Sequence, residues 1–471
     1  MTVHGSIVVE CCPLAFVALA AALTAATGVS TSELAPAVEV EERVYTYADA
    51  GNGAGPLWCY GSTCVVRAGK DVFVSGLETL PERKPLNNCR WVLYRRSATG
   101  WEILRKDETG RTREPCPLAI TRGGRLYLSA NPTLTPPDTY NGPARPELLR
   151  FDVRHPDRPP ETLLPVWPGS PAFTEHSYRG LCADGRRREV LLMNILGYEA
   201  QYWSFLDAGG KWTASGKWPF PVGAEYEKPE PIRLCYPVLA MKNRSAHMLA
   251  ISDIIEPVRE WREFKRALTG QEWDYDFRRL FYAWTPDITR RNFGDAIEIA
   301  SREKTCGQIT NLDMWLEKPD RAHLLWLERS VWHPQMRDRF FPGTPLTVSL
   351  EYAVVERGQV IRRVTLAKGG EGADPVHPGY ARFHATPEGK LYVLAFFSGS
   401  RPDGSQVSEN RLLELSADGR VARSWTLALQ HPFTSFMTAT ERAGCEPSHT
   451  LDVIGAASGV AGISYARIRT P

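Results

Sequence analysis

The sequence predicts an all-β chain folded as a seven-bladed β-propeller with about four antiparallel strands per blade. Three observations carry this. One hairpin design, an apolar strand, a polar or glycine-containing turn and a second apolar strand, recurs seven times along 471 residues. Further strand pairs fill the intervals between copies. Finally, 38 Gly and 36 Pro stand beside 14 Trp, 17 Tyr and 17 Phe, the balance expected of short strands joined by many turns.

The chain opens with "MTVHGSIVVECCPLAFVALAAALTAATGVSTSELAPA", in which an apolar stretch from Leu14 to Leu23 gives way to small residues. That pattern reads as a signal peptide over residues 1–30, leaving 31–471 as a single propeller domain. The expected location is secreted, periplasmic or at the cell surface. No other stretch approaches the roughly 20 apolar residues of a membrane-spanning helix, so no stable membrane partner is expected. Next, "ERVYTYADAG" belongs to no hairpin of its own. It is expected to supply an outer strand to the last blade, closing the ring and removing an exposed edge.

The hairpins follow at intervals of roughly 50 to 75 residues, a repeat spacing. They run from Cys64 to Gly76, Pro117 to Asn131, Tyr178 to Asn194, Tyr236 to Ser252, Thr310 to Glu328, Ala381 to Phe397 and His449 to Ile468. Segments such as "WVLYRRSATGWEILRK" and "LTVSLEYAVVERGQVIRRVTL" read as outer strand pairs. One stretch breaks the β pattern. "EPVREWREFKRALTG" spaces Val258, Trp261, Phe264 or Lys265, and Leu268 as a helix does and ends on Gly. A helical insertion is therefore expected in blade 4 over about 254–272, its Lys and Arg side chains forming a solvated face. "NPTLTPPDTYNGPARP" and "VWHPQMRDRFFPGTP" read as long Pro-rich loops.

Composition narrows the partners. Lys plus Arg number 56 against 54 for Asp plus Glu, and no basic run is long enough to track a phosphate backbone, so no nucleic acid is expected. Eight cysteines follow the leader, and no C-x-x-C spacing occurs among them. Disulfides or buried thiols are expected ahead of a zinc site. No metal ligand set or cofactor is assigned, a structural metal is left open, and a monomer is expected.

In a propeller the innermost strands converge on the axis, so residues at the starts of those strands are the candidates for chemistry. These include Trp58 and Tyr60, His176, Tyr178 and Arg179, Tyr236, Asn311 and Asp313, Tyr380, Arg382 and His384, and His449. His155, His247, His323, His333, His377 and His431 fall elsewhere. Strand alternation puts His176 and Tyr178 on one face with Arg179 opposite, and puts Tyr380, Arg382 and His384 on one face. Histidine, tyrosine and arginine together suit β-elimination from a uronate. A base takes the proton α to the carboxyl, a cation neutralises the carboxylate, and an acid protonates the leaving oxygen. His176 is read as the base, Tyr178 as the acid, and Arg179 or Arg382 as the neutraliser. Trp58, Tyr60, Tyr236, Asn311, Asp313, Tyr380 and His449 are read as substrate-binding. A glycoside hydrolase usually needs two facing carboxyl groups, and the strand starts offer only Asp313, Asp452 and Glu175, each in a different blade. A sialidase would want three arginines around one carboxylate, for which Arg179, Arg382 and Arg233 are the candidates.

With its repeated hairpins and these strand starts, the chain resembles the BNR-repeat, sialidase-like propeller superfamily, and within it the seven-bladed polysaccharide lyases typified by ulvan lyases. The resemblance implies an exported lyase acting on an acidic polysaccharide or oligosaccharide, with His176, Tyr178, Arg179, Arg382 and His384 as its catalytic group. The Ser-x-Asp-x-Gly-x-Thr-Trp turn of sialidases is absent in full. Two alternatives stand beside this reading, a non-catalytic propeller that binds carbohydrate or protein, and a sialidase-like hydrolase.

Overall fold

Seven four-stranded antiparallel sheets build the ring. The structure is a computed structural model describing residues 35–83, 86–271 and 275–471. The leader expected over 1–30 lies outside the described residues. The innermost strands are Val65–Ala68, Leu118–Thr121, Gly180–Asp184, Leu234–Lys242, Gln308–Lys318, Val376–Ala385 and Phe433–Thr438. The second strands are nearly continuous apolar runs such as "EVLLMNIL" and "LYVLAFFSGS" because both their faces pack against neighbouring blades, and most of their residues are buried. Outermost strands face water on one side and read accordingly, as in Gln359–Gly370.

Local sequence sets the turns. Between the first two strands of blade 4, Asn243 and Arg244 both take left-handed backbone, with φ of 51° and 68°. That gives a two-residue connection whose twist matches the flanking strands. The first strand of the described residues, Ala37–Tyr45, pairs antiparallel with Ile463–Arg469 as the fourth strand of blade 7, closing the ring as expected, with the "ERVY" of the unassigned N-terminal segment at its end.

Blade 7 also supplies a correction. The hairpin from His449 to Ile468 is not the innermost pair of its blade but its second and third strands, Thr450–Ala457 and Ile463–Arg469. The innermost strand is Phe433–Thr438, six residues interrupted by Thr434, Ser435 and Thr438, too short and polar to register as a repeat.

The helix expected in blade 4 forms as α1, Arg259–Thr269, and stops where Gly270 adopts a φ of 69° and donates to the Arg266 carbonyl. Part of "VWHPQMRDRFFPGTP", read as a loop, is helical instead. Pro334–Phe340 forms α2, with Pro at its first turn and His333 as N-cap. The helices meet through Trp261 against Phe341 and Phe264 against Phe340, both at 5.4 Å between ring centroids. The basic residues of α1 are not uniformly solvated. Lys265 is buried and sits 2.9 Å from Glu256, whose carboxylate also holds buried Arg278 at 2.6 Å.

All eight described cysteines are unbonded and buried. Burial pushes their thiols up, Cys89 to about 11 and Cys64, Cys306 and Cys445 to about 12. The native protein should therefore resist a thiol-specific reagent, and unfolding should release eight reactive groups from the propeller. Fast labelling of the folded protein would contradict this.

Three histidines are buried within blades. His247 contacts the Tyr282 hydroxyl at 2.6 Å, His323 the Tyr352 hydroxyl at 2.7 Å, and His384 donates from Nε2 to the Ser448 carbonyl at 2.7 Å. Burial lowers each from an ordinary value of 6.5 to about 4. The unfolded chain takes up these protons below about 6.5 and the folded chain only below about 4, so the unfolded state binds more protons in that window. Stability is expected to fall as pH falls from 6.5 towards 4. A urea midpoint that is flat across this range would contradict the burial of these rings.

Candidate functional site

In each blade the start of the first strand and the end of the second lie at the same end of the ring, because the two strands form an antiparallel hairpin. At this end an aromatic floor closes the axis. Its centre is a turn preceding blade 1. From it Trp58 stacks on Tyr178 at 4.7 Å and approaches Tyr236 at 5.4 Å, while Tyr60 stacks on Tyr236 at 4.3 Å and meets the edge of Tyr380 at 6.1 Å. Gly61 lets this segment cross the axis. A Cβ there would stand 2.3 Å from the Tyr236 carbonyl oxygen.

His176 and Tyr178 meet on this floor with ring centroids 4.6 Å apart. They precede the strand Gly180–Asp184, so their shared face comes from a local bend rather than from pleating. Tyr178 has φ 38° and Tyr236 φ 49°, left-handed values that cost a bulky residue energy and concentrate at sites where a side chain must be aimed. His176 keeps 32% of its side chain exposed, and its Nδ1 lies 3.3 Å from Oε1 of buried Glu114. Nη1 of Arg113 lies 3.4 Å from the same nitrogen. With a proton on Nδ1 the imidazole faces the Glu114 carboxylate and leaves Nε2 as a base. In the other neutral tautomer Nδ1 accepts from Arg113 and Nε2 becomes a donor.

Burial works against the charge on Glu114, yet His176, Arg179 and Ser177 outweigh it and hold the carboxyl below its ordinary value. Burial pushes the phenols of Tyr178 and Tyr236 far above theirs, so both remain protonated donors at neutral pH. Beside them the Arg233 guanidinium lies 4.1 Å over the exposed ring of Tyr198 and 5.7 Å over Tyr178, held by a 2.8 Å ion pair with buried Asp253.

The remaining sequence candidates divide by depth. Arg179 is buried and donates to the Ser177 hydroxyl at 2.8 Å and the Pro115 carbonyl at 2.7 Å. Arg382 is fully buried and donates to the Tyr60 carbonyl at 2.7 Å and the Tyr380 hydroxyl at 2.8 Å. Asp313 is fully buried, with Arg442 at 2.8 Å and the Phe383 amide at 2.9 Å. Asn311 is fully buried and donates to the Tyr236 carbonyl at 2.8 Å. These four support the floor from beneath. His384 and His449 stand at the other end of the ring. His384 shares a strand face with Tyr380 and Arg382, but each two-residue step advances about 6.6–6.8 Å, so a common face is not a common end. His449 precedes a second strand, whose start lies opposite the starts of the first strands, and pairs with exposed Glu388 at 3.1 Å.

Glu114 and Arg113 escaped the sequence reading. Their signal was present in "TREPCP", charged residues immediately ahead of an apolar inner strand. Among the described residues no group of three or more His, Cys, Asp or Glu is arranged to hold a metal ion.

A seven-bladed propeller whose strand-start face carries an aromatic floor with a part-exposed histidine is thus the class these observations define. No family model and no curated protein matches the chain. Among solved structures it is similar to a PL25 ulvan lyase, a polysaccharide lyase, at 9% identity and a TM-score of 0.51, covering 91% of this chain and 94% of that one. It is also similar to the polysaccharide lyase Uly1 at 12% identity and a TM-score of 0.48, covering 92% and 93%. The β-propeller domain of the trilobed protease from Pyrococcus furiosus matches at 9% identity and a TM-score of 0.40, over 83% of this chain and 90% of that one. At these identities the likeness is one of fold.

Proposed function

We propose that the protein is a polysaccharide lyase that cleaves an acidic, uronate-containing polysaccharide by β-elimination at the strand-start face. The observation that carries this is the contact of His176, a third exposed, with Tyr178, which is buried beneath Trp58, the pair being backed by Glu114 and flanked by Arg113. Nε2 of His176 removes the proton α to the uronate carboxyl, and the protonated Tyr178 phenol gives its proton to the departing glycosidic oxygen. A cation must neutralise the carboxylate as negative charge builds on it. Arg179 and Arg382, the neutralisers read from sequence, are buried and engaged below the floor. Arg113, partly exposed and in reach of His176, takes that part. Trp58 and the exposed ring of Tyr198 offer stacking surface for sugar rings.

The solved ulvan lyase carries its own activity on a similar fold. The same reading places the chain among sialidase-like BNR propellers, takes residues 1–30 as an export signal, and has a monomer working outside the cytoplasm. Incubation with a panel of uronate polysaccharides tests it. The reading expects ultraviolet-absorbing unsaturated uronate ends, whereas binding without product would identify a carbohydrate-binding propeller instead.

A further inference from the structure

The far end of the ring holds a cavity of about 850 Å³, within the size range of ligand sites. Its walls are the turns joining the first and second strands of blades 3 to 6 and the turn 415–417 between the third and fourth strands of blade 6, completed by the loop 441–447 of blade 7. The space arises because main-chain bonds tie that loop of blade 7 to blades 2 and 3 across the ring. The Ala443 carbonyl accepts from Ile120 and the Arg442 carbonyl from Ala183, at 2.8 and 2.9 Å. The turns of blades 4 to 6 are left standing around open space.

The chemistry of this cavity differs from that of the opposite face. Acidic and basic side chains line it in equal number, and most are paired, Arg442 with Asp313 at 2.8 Å, Arg321 with Glu317 at 3.3 Å and Arg186 with Glu446 at 3.4 Å. His323 adds no charge at neutral pH, since burial lowers it to about 4. Lys242 spends its ammonium on the carbonyls of Leu316 and Glu317. Trp315 donates its indole N–H to Glu441 at 2.7 Å, so what it offers a ligand is ring surface. A charge-balanced cavity with fixed donors and acceptors and one half-exposed indole fits a ligand with hydroxyls and apolar C–H faces but no net charge.

We propose that this cavity is a binding site for a neutral oligosaccharide, which stacks on Trp315 and bonds through its hydroxyls to Glu441 and Lys390. The buried layer of Asp313, Arg442 and Arg382 separates it from the aromatic floor, so the proposal is independent of the lyase reading.

Titration of the full-length protein with cellotetraose, xylotetraose and mannotetraose, followed by calorimetry and tryptophan fluorescence, tests it. At least one should bind saturably with a change in emission, and Trp315→Ala should weaken that binding about tenfold or more. Since Trp315→Ala removes a packed residue, a second variant is needed. Ala417→Trp, at an exposed turn on the cavity wall, should block binding while leaving turnover at the opposite face unchanged. His176→Ala should bind as the wild type does. Failure of all three tetrasaccharides to bind the wild type, or undiminished binding by Ala417→Trp, would overturn the assignment.

Discussion

Replacing His176 by alanine is expected to lower turnover on a uronate polysaccharide by about 10²–10⁴-fold, the usual contribution of a general base. The thermal midpoint should fall only modestly, since Glu114 loses one of the partners that offset its burial but keeps others. His176 keeps a third of its side chain in solvent, so its removal leaves no sealed cavity, and Glu114 retains the Ser177 amide at 3.0 Å and the Ser177 hydroxyl at 2.5 Å as partners. The split between rate and stability separates a base from a structural ring. Glu114→Gln provides a graded companion. It keeps the shape but removes the carboxylate that favours a proton on Nδ1, so the base form of Nε2 becomes less populated and turnover falls without a matching loss of substrate affinity. Unchanged turnover in His176→Ala would remove this residue from the mechanism.

The second large effect concerns Asp313, read from sequence as a substrate contact. Asp313→Ala is expected to destabilise the propeller by about 3–5 kcal/mol, because it strands the Arg442 guanidinium without its partner in a buried setting. The pair joins blade 5 to the loop of blade 7, and Arg442 also donates to the Gly61 carbonyl at 2.9 Å, so three parts of the ring depend on it. Burial already pulls the Arg442 pKa down, with the Asp313 charge opposing that fall. Asp313→Leu combined with Arg442→Met removes both charges and should recover much of the loss. Denaturant midpoints of the single and double variants measure this. A single variant of wild-type stability with weakened substrate affinity would return Asp313 to the role first read for it.

The architecture was legible because propeller blades repeat. Six of the seven hairpins mark true inner pairs, and "ERVYTYADAG" announced ring closure by having no unit of its own. The seventh slipped by one strand because Phe433–Thr438 lacks the apolar run that both-sided burial produced elsewhere. The same repeat logic brought Trp58, Tyr60, His176, Tyr178, Tyr236 and Tyr380 to one floor. It could not rank them by depth. Arg179 lies next in sequence to Tyr178, yet a left-handed residue between His176 and Arg179 sends one side chain to solvent and the other into the interior. Nor does strand alternation say how far along the axis a residue sits, which is why His384 was grouped with a site at the opposite end.

Whether this face breaks glycosidic bonds by elimination is read from the ratio of unsaturated ends to new reducing ends. Elimination places one unsaturated uronate beside every new reducing end, so the wild-type protein should yield them one to one, and His176→Ala should yield neither above background. New reducing ends without the unsaturated chromophore would show hydrolysis and contradict the account.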